Sequence, residues 1–114
     1  MHELSLTQRI VKIVCDEAKK ENAVRVVKVM LAVGEDSGIV PECVQTYFDL
    51  LAENTVAQGA KIKANIIRST LYCESCKKEF ERARFSFSCP ECGAEGTPTN
   101  KGNACYVESI ELET

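Results

Sequence analysis

Residues 73–92 read Cys73-Glu74-Ser75-Cys76, a twelve-residue span, then Cys89-Pro90-Glu91-Cys92. Two residues between paired cysteines let backbone N–H groups curl toward the sulfurs, so both thiols face one point. The intervening span is long enough to fold back as a hairpin. Two such knuckles predict a tetrahedral site made of Cys73, Cys76, Cys89 and Cys92. Zinc is the expected metal, because it accepts an all-thiolate set and has no redox chemistry. An iron-bearing, rubredoxin-like electron carrier uses similar pairs, and a zinc ribbon can also serve as a nucleic-acid or protein interaction module. Disulfides fit less well, since the chain has seven cysteines and no secretory signal.

On either side of the knuckles the pattern is that of an α/β domain. Leu6, Ile10, Ile13, Val14 and Ala18 recur at helical steps and predict a helix over 5–20. Ser5 and Gln8 suit a capping box, with Ser5 as the N-cap. Val24 to Val33 is β-branched and almost continuously apolar, as in a strand covered on both faces. A loop at Gly34-Glu35-Asp36-Ser37-Gly38 follows and reads as a solvated turn. Pro41 suits the first turn of a second helix reaching about Asn54, with Val44, Tyr47, Phe48 and Leu51 as its apolar stripe. Residues 61–67 alternate, placing Ile62, Ala64 and Ile66 on a buried face. Phe80 to Phe87 is again extended and alternating, and the segment after Cys92 is a polar loop. Tyr106 to Glu113 has the pattern of a closing strand.

If that strand rejoins the first sheet, the metal hairpin is an insertion between two neighbouring strands. The expected architecture is α+β: a small mixed sheet with two helices, plus an inserted four-Cys, zinc-ribbon-like hairpin. The expected units are 1–69 with 104–114, and 70–103.

Length and charge narrow the function classes. A chain of 114 residues with formal charge −3 lacks the basic field that nucleic acid demands. Arg82 and Arg84 among Phe80, Phe85 and Phe87 give some basic–aromatic interleaving, a weak signal beside the net acidity. No stretch approaches the length of a membrane span, and the free thiols suit a reducing, cytoplasmic setting. No phosphate-binding glycine loop and no acid–base pair are present, which predicts a protein that is not an enzyme.

The lone histidine is His2. Behind an unmodified Met1 amine it offers three nitrogens in series: the amine, its own amide and its imidazole. These close adjacent five- and six-membered chelate rings, an arrangement favoured by Ni(II) and Cu(II). Glu3 adds a carboxylate. A bulky second residue disfavours removal of Met1. Cys15 and Cys43 read as small packing residues on the two helices, and Cys105 as a partly exposed thiol.

Met1-His2-Glu3-Leu4 resembles the start of the HypA/HybF family of nickel chaperones for nickel–iron hydrogenase maturation. The resemblance continues through Val29-Met30-Leu31-Ala32-Val33-Gly34, Pro41-Glu42, Tyr47-Phe48, Gly59-Ala60, the two knuckles and Gly102-Asn103. It covers essentially the whole chain. It implies Ni(II) as transient cargo at Met1, His2 and Glu3, and a structural Zn(II) at the four knuckle cysteines. It also implies delivery, with a HypB-like GTPase, to the hydrogenase large-subunit precursor. Some members serve urease, which adds urease-maturation proteins to the implied partners; nucleic acid and membrane are not among them. One departure is Lys77, where the first knuckle more often has Gly, and it predicts mild strain in that turn. Another is the absence of a second histidine to complete a nickel site.

Overall fold

The structure is a computed structural model that describes residues 2–83 and 86–114; the side chain of His2 lies outside that description. Its first helix, α1, spans His2–Lys20. Leu6, Ile10, Val14 and Ala18 form its buried stripe. The helix begins three residues before the expected cap, so Ser5 lies inside it and the capping box does not form. Asn22 adopts a left-handed φ of 52° after the last turn, where the Ala23 N–H bonds back to the Ala18 carbonyl at 2.9 Å.

Strand β1 (Arg25–Gly34) follows, then α2 (Pro41–Leu51) and β2 (Lys61–Ile67). Pro41 opens α2, as its fixed φ and missing N–H favour. The helix stops short of the expected Asn54, which instead sits in a turn at φ 63°. Strand β6 (Cys105–Glu113) closes the chain. The first sheet has the order β2-β1-β6, with β2 parallel and β6 antiparallel to β1. It is the small mixed sheet expected, with β1 at its centre.

The final strand does rejoin this sheet, but it pairs with the far side of β1. The inserted hairpin therefore connects two strands that flank β1 rather than two neighbours. Both helices pack on one face of the sheet. Phe48 and Val44 from α2 meet Val26, Val29, Leu31 and Val33 from β1 in the core.

The expected buried face of β2 is only partly covered. Ile62 packs against the core, whereas Ala64 is exposed and Ile66 is 52% exposed. The reason is local: α2 meets β2 at its Ile62 end, where Gln45 accepts the Ile62 N–H at 2.7 Å.

The second sheet has the order β4-β3-β5, from Lys78–Glu81, Thr70–Cys73 and Thr97–Pro98. The expected extended run Phe80–Phe87 is strand only to Glu81, and Arg84 and Phe85 lie outside the described residues. The segment after Cys92 is more than loop, since Thr97 pairs with Tyr72 and Pro98 with Leu71. Gly96 allows this, because a Cβ there would lie 2.7 Å from the Phe80 ring and 2.8 Å from Leu71 Cβ. The molecule measures 54 × 28 × 16 Å, an elongated body.

Candidate metal centre

Strand β3 ends in Cys73, and the turn that follows carries Cys76 before β4 begins. The Cys76 N–H points at Cys73 Sγ at 3.4 Å, the inward curl expected of a knuckle. The second knuckle turns on Cys89, whose N–H bonds the Ala94 carbonyl at 2.7 Å while its carbonyl accepts from Gly93 at 2.8 Å. The residue after each knuckle is left-handed, Lys77 at φ 55° and Gly93 at φ 75°. Lys77 therefore occupies the conformation that its turn demands and that glycine would adopt without strain.

The four sulfurs lie within 4.8 Å of one another. Cys73 and Cys92 are 3.4 Å apart, and Cys76 and Cys89 3.9 Å. A metal bound to sulfur at about 2.3 Å in a tetrahedron sets sulfur–sulfur edges near ~3.8 Å, so the donor set fits a closed four-coordinate zinc-type site. Cys73 and Cys89 are buried and Cys92 is exposed, so the cluster sits at the protein surface with one open flank.

Electrostatics distinguish the thiols. Backbone N–H groups of Cys92 and Glu91 hold Cys89 down at about 7, despite desolvation. The hydrogen bond with Cys92, then burial, pushes Cys76 up to about 12. Four crowded sulfurs cannot all ionise together without a cation to offset their repulsion.

The second expected site falls partly outside the described residues. Met1 and the imidazole of His2 are not described. His2 is the first residue of α1, and Glu3 lies in its first turn. Glu3 Oε2 accepts the Val40 N–H at 3.3 Å, so the start of α1 lies against the start of α2. The Thr7 hydroxyl, fully buried, bonds the Glu3 carbonyl.

Of the remaining cysteines, Cys15 packs against the core as expected. Cys43 does not, because it is exposed on the outer side of α2. Cys105 is partly buried, and that burial raises its thiol pKa.

Sequence reading missed the junction between the two sheets. Glu35 and Asp36, expected as a solvated turn, grip the connector between β2 and β3 that leads into the hairpin, and Arg82 just past β4. Glu35 accepts the Ser69 N–H and pairs with Arg68 at 3.4 Å. Asp36 accepts the Ser69 hydroxyl and Arg82 Nη2, the latter at 3.1 Å. These bonds hold both carboxyls below their ordinary range, with the Ser69 N–H the main cause for Glu35 and the Ser69 hydroxyl for Asp36. No short-range pattern joins residues 33 and 46 positions apart.

Residues 1–112 match the family model described as HypA, hydrogenase/urease nickel incorporation, metallochaperone. A hydrogenase maturation factor HypA from Caldanaerobacter subterraneus subsp. tengcongensis is 46% identical, over 99% of this chain and 100% of the relative. One from Aquifex aeolicus is 34% identical over 99% and 98%. In structure, the chain is similar to a solution structure of HypA protein, with TM-score 0.77 and 23% identity over 98% and 96% of the two chains. The solution structure of the Ni metallochaperone HypA from Helicobacter pylori gives TM-score 0.66 and 22% identity over 97% of each chain.

Proposed function

This chain belongs to the HypA family of hydrogenase/urease nickel-incorporation metallochaperones, a family of maturation factors and not of enzymes, and on that premise we propose that it binds Ni(II) at its amino terminus and delivers it to a nickel–iron hydrogenase. The nickel ligands are the Met1 amine, the His2 amide and imidazole, and the Glu3 region. Cys73, Cys76, Cys89 and Cys92 hold a structural Zn(II). Recipients are the hydrogenase large-subunit precursor, reached with a HypB-like GTPase, and urease-maturation proteins where urease is made. The setting is the cytoplasm. No helix among the described residues is long and apolar enough to cross a membrane.

The observation that carries this reading is the four-sulfur cluster, lying inside a chain matched along residues 1–112 by the nickel-incorporation model. Helix geometry adds support at the other end. The first amides of a helix have no intrahelical carbonyl to serve. As the first residue of α1, His2 keeps its amide out of the helix ladder, and a square-planar ion can displace its proton. A site at a chain end is labile, which suits a protein that passes metal onward. Zinc in four thiolates supplies fixed geometry and no reaction chemistry.

The test is a Ni(II) titration of tag-free, zinc-loaded protein beside His2→Ala, with metal content measured in parallel. Nickel uptake lost in the variant, with zinc retained, is expected. Equal uptake by both proteins overturns the terminal site. Extending the chain before Met1 converts the amine to an amide and is expected to abolish nickel binding without unfolding the protein. A red, iron-containing protein would favour the rubredoxin-like reading instead.

A further inference from the structure

We propose that the outer edge of β2 is a strand-addition site for an extended segment of a partner protein in which apolar and acidic residues alternate.

Strand β2 pairs only with β1 among the described residues. In a strand, successive N–H and C=O groups point to opposite sides. The Ile62 N–H is taken by Gln45 Oε1 and not by β1. It therefore points outward, and so do the backbone groups of Ala64 and Ile66, two and four residues on. Gln45 Nε2 also donates to the Ala60 carbonyl at 3.3 Å. The amide of one side chain thus imitates a residue of a neighbouring strand at the start of β2. Past it, the edge is open.

The side chains along this edge specify what fits. On the helix side, Ala64 is exposed and Ile66 is 52% exposed, an apolar strip that α2 does not reach. On the opposite face, Lys61 and Lys63 stand beside Lys28 and Met30 of β1. Lys28 and Lys61 are direct cross-strand partners, a like-charge pairing that costs stability. Lys28 has Glu111 at 3.9 Å, whereas Lys61 and Lys63 have no ion-pair partner among the described residues. An incoming strand with apolar residues toward Ile66 and carboxylates toward Lys61 and Lys63 satisfies both faces. On the far side of β1 the sheet already accepts such a strand: β6 places Val107, Ile110 and Leu112 on the core and Glu111 near Lys28.

The two edges differ. The ladder between β1 and β6 is interrupted by two register shifts, which blunt an edge. The ladder between β1 and β2 runs through seven residue pairs without a break. Edge lysines also discourage self-pairing, because β2 against a second β2 would face lysine with lysine.

The experiment uses the full zinc-loaded chain and a synthetic nine-residue peptide of alternating valine and glutamate, followed by amide NMR. Saturable shifts centred on Ala64 and Ile66 are expected. Ala64→Pro removes an outward N–H without removing a bond to β1, and is expected to weaken binding at least about tenfold with the fold retained. The doubly charge-reversed variant, Lys61→Glu with Lys63→Glu, is expected to lose a similar factor and to gain affinity for the valine–lysine counterpart. Three outcomes overturn the proposal: no saturable shift at β2, equal binding of both peptides by the wild type, or shifts at Ala64 and Ile66 that follow protein concentration alone, which would make a second copy the occupant.

Discussion

Gly34 and Gly102 meet backbone against backbone: a Cβ built on Gly34 would lie 2.1 Å from the Gly102 carbonyl oxygen. The end of β1 is thereby pressed onto the single 3-10 turn, Lys101–Asn103, through which the chain returns from the hairpin. The Asp36 N–H bonds the Gly102 carbonyl at 2.8 Å, and the Gly34 N–H bonds the Ala104 carbonyl at 2.7 Å. Both connections between the sheets are thus tied to the loop after β1.

Gly34→Ala is expected to destabilise the protein by about 3 kcal/mol, the upper end for overpacking, because the obstacle is backbone and cannot rotate away. Urea unfolding monitored by circular dichroism measures this. An unchanged midpoint would mean that the two segments separate at little cost.

Asp36→Asn tests the junction through pH. The Asp36 pKa is depressed from its ordinary value of 3.8 by the Ser69 hydroxyl and by Arg82. A depressed folded-state pKa contributes stability above the unfolded value and loses it as pH falls through the folded one. The melting temperature of the wild type is therefore expected to exceed that of the variant at neutral pH, and the gap to close progressively below pH 3.8. A gap that is constant down to pH 2 would show that the charge is not involved.

Metal removal and core truncation are expected to act on different parts of the chain. Among the described residues of the hairpin unit, the buried apolar side chains are Leu71, Cys73 and Cys89. A chelator is therefore expected to collapse amide dispersion over residues 70–103 while leaving the α/β signals in place. Phe48→Ala, at a fully buried position, is expected to cost about 3–5 kcal/mol of α/β stability without changing zinc content. Loss of both sets of signals on chelation would show the two units to be one cooperative body.

Lys77→Gly is expected to tighten the first knuckle by about 1 kcal/mol, since Lys77 holds φ 55° and glycine carries no penalty there. Slower zinc loss to a chromogenic chelator is the readout. Faster loss would assign Lys77 a compensating contact, for instance through the Lys78–Glu91 pair that spans the two knuckles at 3.4 Å.

Much of this architecture was legible because it is written in short-range pattern. The spacing of Cys73, Cys76, Cys89 and Cys92 gathers four sulfurs whichever way the rest of the chain packs. The left-handed turn at Lys77 follows from the knuckle itself. The apolar run into Val33 marks a central strand, since no exposed strand tolerates it. Errors clustered where a distant partner decides. Ser5 suits a cap, but the helix extends past it to His2. Cys43 and Ile66 look like packing residues, yet the surfaces beside them are left uncovered.

By itself the sequence determined the two helices, the three strands of the first sheet and the four-sulfur knuckles, all consequences of neighbours a few residues apart. The tertiary structure alone decided that β6 lies across β1 from β2, that Glu35 and Asp36 clamp Ser69 and Arg82, and that β2 has no second partner strand among the described residues. Those outcomes depend on which surfaces meet after the chain closes on itself, and loop closure places no signature in the local pattern of residues.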